Sequence, residues 1–120
     1  MGAPTPESER RVVNLLRDPF LPYDMEGPLQ EDITWLPVSW NDDAGQGSYL
    51  MRMEPGARTL SHEHAGFEEF LIVEGTLTDS DGTVFRAGDF VSYRGGVHHS
   101  WTETGCVIAV FEWQPPAAEG

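Results

Sequence analysis

From residue 33 to residue 114 the chain is a succession of short apolar runs broken by Gly, Asp, Asn and Pro roughly every ten residues, the punctuation of an antiparallel sandwich or barrel. The runs are 33–40, closed by the turn cluster Asn41-Asp42-Asp43-Ala44-Gly45; 48–54; 69–77, broken around Gly75; 83–85, after the turn 79–82; 90–93; 97–102, after Arg94-Gly95-Gly96; and 106–113, closed by Pro115-Pro116. No convincing helix fits between these breaks, so an all-β chain is expected. That many short strands leave many open edges unless the sheet closes on itself, which makes a barrel the economical architecture.

The first 32 residues do not share this pattern. Residues 1–9 offer little but Pro, Ser and Glu and read as a mobile end. Thr5-Pro6-Glu7 could open a helix reaching Arg17, while the β-branched Val12 and Val13 could equally form a strand laid against another sheet. The organisation expected is an N-terminal extension (1–32), a barrel (33–115) and a flexible tail (116–120). The apolar segment 12–16 has no evident place in its own barrel and is a candidate for exchange with a second copy, so a homodimer is expected.

Composition removes several classes of function. One hundred and twenty residues make one domain, and 20 Asp plus Glu against seven basic residues, every one an Arg, give a formal charge of −13. No surface of such a chain can carry the dense cationic stripe that phosphates require, which argues against nucleic acid and anionic membranes as partners. A single cysteine, Cys106, excludes an internal disulfide and a Cys-cluster zinc site, and reads as a small buried hydrophobe. The N-terminus lacks a signal-like apolar core and no run nears the ~18 apolar residues of a membrane span, so a soluble cytoplasmic protein is expected.

What remains for chemistry is His and carboxylate, and the four histidines fall in two pairs: His62 with His64, and His98 with His99. On a strand, residues two apart share a face, so His62 and His64 point the same way about 7 Å apart and can chelate one ion. After a tight turn at 65–67, Glu68 opens the next strand and can bring a carboxylate to the same ion. A histidine from the second pair completes a mixed N/O set suited to Fe(II), Zn, Mn, Ni or Cu with positions left open.

These residues resemble the cupin superfamily. Gly56, His62, His64, Glu68 and Gly75 match its first motif, G-x5-H-x-H-x3-E-x6-G, without departure, which prefers Glu68 over Glu69. Gly88, Gly96 and His99 match the second, G-x5-P-x-G-x2-H-x3-N, with Arg94 in place of Pro and Glu103 in place of Asn. The resemblance implies a double-stranded β-helix (jelly-roll) barrel holding one divalent transition metal through His62, His64, Glu68 and His99. By alternation His98 then faces the other way, and Phe70 and Ile72 share the inner face with Glu68, as does Trp101 with His99. Tyr49, Met51 and Met53, and likewise Val107, Ala109, Phe111 and Trp113, are candidate inner walls. Met51, Phe70, Ile72 and Trp101 make up the expected pocket lining. Arg52, Arg58, Arg86 and Arg94 could orient an anionic substrate, though surface ion pairing is their simpler role.

The stretch from Glu68 to Gly75, with Thr78 to Gly82, 87–89 and 104–108, is similar to the cupin domain of ChrR-type anti-sigma factors, a wider group that includes acetylacetone dioxygenase-like enzymes. No Cys precedes residue 106, so the zinc-dependent sigma-factor-binding role is not expected to carry over. The resemblance implies a metal-dependent, dioxygenase-like oxidoreductase acting on a small oxygenated molecule such as a diketone or hydroxyketone, with Glu68 as the catalytic residue. A non-catalytic, ChrR-like module responding to a metal or ligand is the alternative.

Overall fold

The computed structural model describes residues 9–114 except Glu26, Ser61 and Ala65, and describes 62–64 through their backbone alone. Ten strands follow in order: β1 (Leu21–Pro22), β2 (Ile33–Pro37), β3 (Gly47–Met53), β4 (His62–His64), β5 (Phe67–Asp79), β6 (Val84–Arg86), β7 (Phe90–Tyr93), β8 (Gly96–His98), β9 (Ser100–Trp101) and β10 (Cys106–Trp113). No α-helix occurs among the described residues, and every strand pair is antiparallel.

The hydrogen-bonded path runs β1-β2-β3-β10-β5-β6, with β7 and β9 also on β5, while β4 and β8 form a separate ribbon. The 13-residue β5 is the spine. Along residues 67–75 it pairs with β10, its first half pairs with β7, and its far end pairs with β6 and β9.

Alternation fixes what each strand buries. In β3 Tyr49, Met51 and Met53 are buried while Leu50 and Arg52 are half-exposed; in β5 Glu68, Phe70 and Ile72 are buried between half-exposed neighbours. Directly opposed residues of an antiparallel pair share a face. Ile108 lies opposite Met51 and Val110 opposite Tyr49, so the inward set of β10 is Cys106, Ile108 and Val110. This corrects the expectation for Val107, Ala109, Phe111 and Trp113. Val107 is buried outside the core cluster, Ala109 is half-buried, and Phe111 and Trp113 are exposed, with Phe111 stacked on Phe90 across the outer face. Both faces of 106–113 are apolar, so the sequence carried no contrast from which to read the strand's parity.

The N-terminal extension is in part built into the sheet. Leu21 and Pro22 pair with Trp35 and Thr34, and the next residue, Tyr23, packs edge-on against Trp35 at 5.5 Å and stacks on Tyr49 at 6.3 Å. Segment 12–16 forms neither a helix nor a strand. The Asn14 carbonyl accepts the N–H groups of Arg17 and Asp18 in a single turn, leaving Val12 and Leu16 exposed. Residues 1–8 and 115–120, including the expected mobile end and tail, lie outside the described residues.

Candidate metal centre

Glu68 enters the interior because β5 does: it has the inward parity of Phe70 and Ile72 and is 7% exposed. In the ladders it faces Tyr93 of β7 on one side and Glu112 of β10 on the other. Glu112 accepts the Tyr49 hydroxyl at Oε2, 2.9 Å away. A buried carboxylate needs a partner, since an isolated charge in an apolar interior is costly. One partner among the described residues is His98, whose Nε2 stands 3.5 Å from Glu68 Oε1 with 12% of its side chain exposed.

His98 gets there through the β4–β8 ribbon, where its backbone lies directly opposite that of His62, and Gly96 lies opposite His64. The side chains of His62 and His64 lie outside the described residues. Among the described residues no three His, Cys, Asp or Glu side chains converge, and Glu68 with His98 is the pair that meets.

Against the inner wall, the Tyr93 ring stacks on the His98 ring with centroids 4.2 Å apart and planes 12° apart. Its hydroxyl donates to Asp79 Oδ2, and Asp79 Oδ1 accepts the Ser80 N–H at 2.7 Å. Burial, the Asp79 acceptor and the negative charges of Asp79 and Glu68 all push the Tyr93 phenol well above its ordinary value, so it stays a neutral donor. Glu68, His98, Tyr93, Thr59 and Ser100 present polar groups to an interior cavity of about 40 Å³ whose other walls include Met51, Met53, Phe70, Leu77, Ile108 and Val110.

Of the expected pocket residues, Met51 and Phe70 line this cavity. Ile72 is buried in the core cluster but is not part of the cavity wall. The motif register gave His99 as a ligand and Trp101 as a lining residue; in the structure His98 and Ser100 line this cavity, and His99 and Trp101 do not. Instead the His99 ring lies 6.2 Å from Trp101, and the Arg58 guanidinium sits 5.4 Å over the indole. The cause is the turn before β8. β7 ends at Tyr93 and β8 begins at Gly96, with Gly95 and Gly96 both at positive φ (96° and 100°) and Arg94 where the motif has Pro. Pairing with β4 then sets His98, not His99, opposite His62. Val97 is turned out to 64% exposure, whereas the register of the second motif had favoured His99 as the inward residue. Arg52 is likewise engaged away from the cavity, over the Phe20 ring at 4.2 Å.

Tyr93, Asp79 and Tyr23 were not anticipated at the site. Alternation within 90–93 makes Tyr93 inward once its pairing with Glu68 is known, but that register is a long-range fact.

The model of the ChrR cupin-like domain matches residues 22–116. The chain belongs to that family. Among solved structures, this cupin is similar to an acetylacetone dioxygenase from Acinetobacter johnsonii, with a TM-score of 0.69 and 15% identity over 93% of this chain and 80% of that one. It is also similar to an RmlC-like cupin from Shewanella frigidimarina (TM-score 0.64, 20% identity, 92% and 94% covered). The complex of Rhodobacter sphaeroides SigE with the anti-sigma ChrR matches with TM-score 0.63 and 19% identity over 82% of this chain and 51% of that one. This cupin therefore spans about half the length of that chain. At these identities the likeness is one of fold. No curated protein matches the sequence.

Chemically the described donors fit a divalent transition metal. A carboxylate oxygen and an imidazole nitrogen, both nearly dry and 3.5 Å apart, are the kinds of ligand such ions take.

Proposed function

We propose that this cupin binds one divalent transition metal through His62, His64, Glu68 and His98, and uses it on a small oxygenated organic molecule. The observation that carries the reading is the Glu68–His98 pair, 3.5 Å apart on the wall of an otherwise largely apolar cavity. The backbone register of His62 opposite His98 supports it, as does the unbroken first motif. His98 replaces His99 in the ligand set because the His99 ring is turned onto Trp101.

A bound ion would supply a Lewis-acid centre for polarising a carbonyl or enol oxygen. The chain's own groups would do the rest. Glu68, held in the apolar interior, would serve as the base for the proton released when a diketone or hydroxyketone enolises if its place among the ligands is exchanged for a substrate oxygen. Phe70, Met51 and Ile108 exclude water and hold the carbon skeleton. With free space of only about 40 Å³, the substrate is small or the wall yields to it. The likeness to a protein named acetylacetone dioxygenase supports oxidation of such a substrate by O₂.

Elemental analysis of protein purified without added metal tests the first step. Near one equivalent is expected in the wild type and in His99→Ala, and little in Glu68→Gln or His98→Ala; unchanged content in both of the latter would overturn the site. Fe(II)-loaded protein offered pentane-2,4-dione or a hydroxyketone is then expected to consume O₂. Metal retained without O₂ uptake supports the non-catalytic module instead.

A further inference from the structure

Imidazole rings on a strand are free to turn about their second torsion unless something fixes the plane, and the plane decides where Nε2 points. In this protein the plane of His98 is matched by that of Tyr93: the rings are parallel within 12° at 4.2 Å. Tyr93 itself is fixed twice. Its backbone pairs with Glu68 in the β5–β7 ladder, and its hydroxyl is tied to the buried Asp79 at the far end of the same β5. Asp79 in turn is held by the Ser80 N–H and hydroxyl on its other oxygen. Phe70 packs against the Tyr93 ring at 5.9 Å, and Phe85 backs Phe70 at 5.8 Å.

We infer that Tyr93, anchored by Asp79, is a positioning residue that sets the plane of His98 and so aims its Nε2 at the Glu68 side of the cavity. Asp79 is buried at 9% exposure and commits one carboxylate oxygen to the phenol and the other to Ser80, so the cost of its burial is offset by holding Tyr93 and the turn that follows β5. The inference deepens the metal reading above and rests on it for its functional consequence, but the ring geometry itself does not depend on a metal.

The test therefore has two arms. In metal-free protein, the carbon-bound protons of the His98 ring, assigned by loss of their NMR signals in His98→Ala, should lie well upfield of exposed-histidine values because they sit over the Tyr93 ring. Tyr93→Leu should abolish that displacement. Tyr93→Phe, which keeps the ring and loses only the bond to Asp79, should retain most of it with broader signals. Undisplaced signals in the wild type, or the same displacement in Tyr93→Leu, would overturn the inference. If Tyr93→Leu does not fold, Tyr93→Phe decides the anchor: sharp signals at the wild-type positions overturn it.

In the second arm Co(II) is titrated and its visible bands recorded. Tyr93→Leu should weaken Co(II) binding by about 10–100-fold and shift the bands, with Tyr93→Phe intermediate. Wild-type affinity and bands in a folded Tyr93→Leu would overturn the positioning role. Equal Co(II) binding by the wild type and His98→Ala would instead overturn the metal reading, while the ring displacement still decides the geometry.

Discussion

Cys106 lies 4% exposed, opposite Met53 in one ladder and Gly75 in the other. Burial pushes its thiol up from 9.0 to about 11, in spite of a lowering hydrogen bond with Thr102. Because the folded value is raised, the unfolded chain gives up this proton first as pH rises. Stability tied to Cys106 is complete below pH 9.0 and declines toward pH 11, by about 2–3 kcal/mol at most. The alkaline fall in urea-unfolding free energy should therefore be shallower in Cys106→Ala than in the wild type, and equal slopes would contradict it. A two-unit shift also leaves about 100-fold less thiolate near pH 8, so a thiol reagent should react at least that much more slowly with folded than with denatured protein. At this scale the sequence disclosed Glu68 and Cys106 well, because each is fixed by local context: a motif position in one case, a lone small apolar side chain in the other. His98 was not legible, since its inward parity depends on a turn and a partner strand more than thirty residues away.

Strand limits were legible wherever polarity changed abruptly. Phe90–Tyr93 and Cys106–Trp113 begin and end where the apolar runs do, and β5 extends its run only slightly, to Phe67 and Asp79. The run 97–102 is instead split by His99 into β8 and β9, which pair with different partners, β4 and β5. No local signal marks such a change of partner. Strand β5 does not break at Gly75 as the turn pattern suggested; it passes there from β10 to β6 as partner, through a tight backbone. Gly75 has φ of +77°, and a Cβ there would stand 1.9 Å from the Gly105 carbonyl oxygen. Gly75→Ala should thus cost the left-handed conformation, about 1–2 kcal/mol, and in addition force β5 and β10 apart, for a total of about 3 kcal/mol or more. Gly82 is the matched control, with φ of +89° and nothing within 4 Å of the added carbon. Its Ala variant should lose only the conformational part, about 1 kcal/mol. Urea unfolding of the two variants checks this, and equal losses would show that the close approach of Gly105 carries no weight.

At the scale of the whole molecule the all-β architecture was legible because the turn spacing leaves room for little else, whereas the closing contacts of Tyr23 with Trp35 and Tyr49 were not, coming from a segment without periodicity. The formal charge of −13 acts at this scale too. With a radius of gyration of 15.5 Å, most surface charges lie within one screening length of each other at 10 mM salt, where that length is about 30 Å. At 150 mM it is about 8 Å, so only near neighbours still repel. The unfolded chain spreads the same charges farther apart and gains less from screening. Raising NaCl from 10 to 150 mM should therefore stabilise the fold, by roughly 1 kcal/mol or about 3–5 °C in Tm. Tetramethylammonium chloride should give the same curve against ionic strength, because screening does not depend on which monovalent cation supplies it. A Tm that stays flat or falls would mean that the net charge has no bearing on the stability of the barrel.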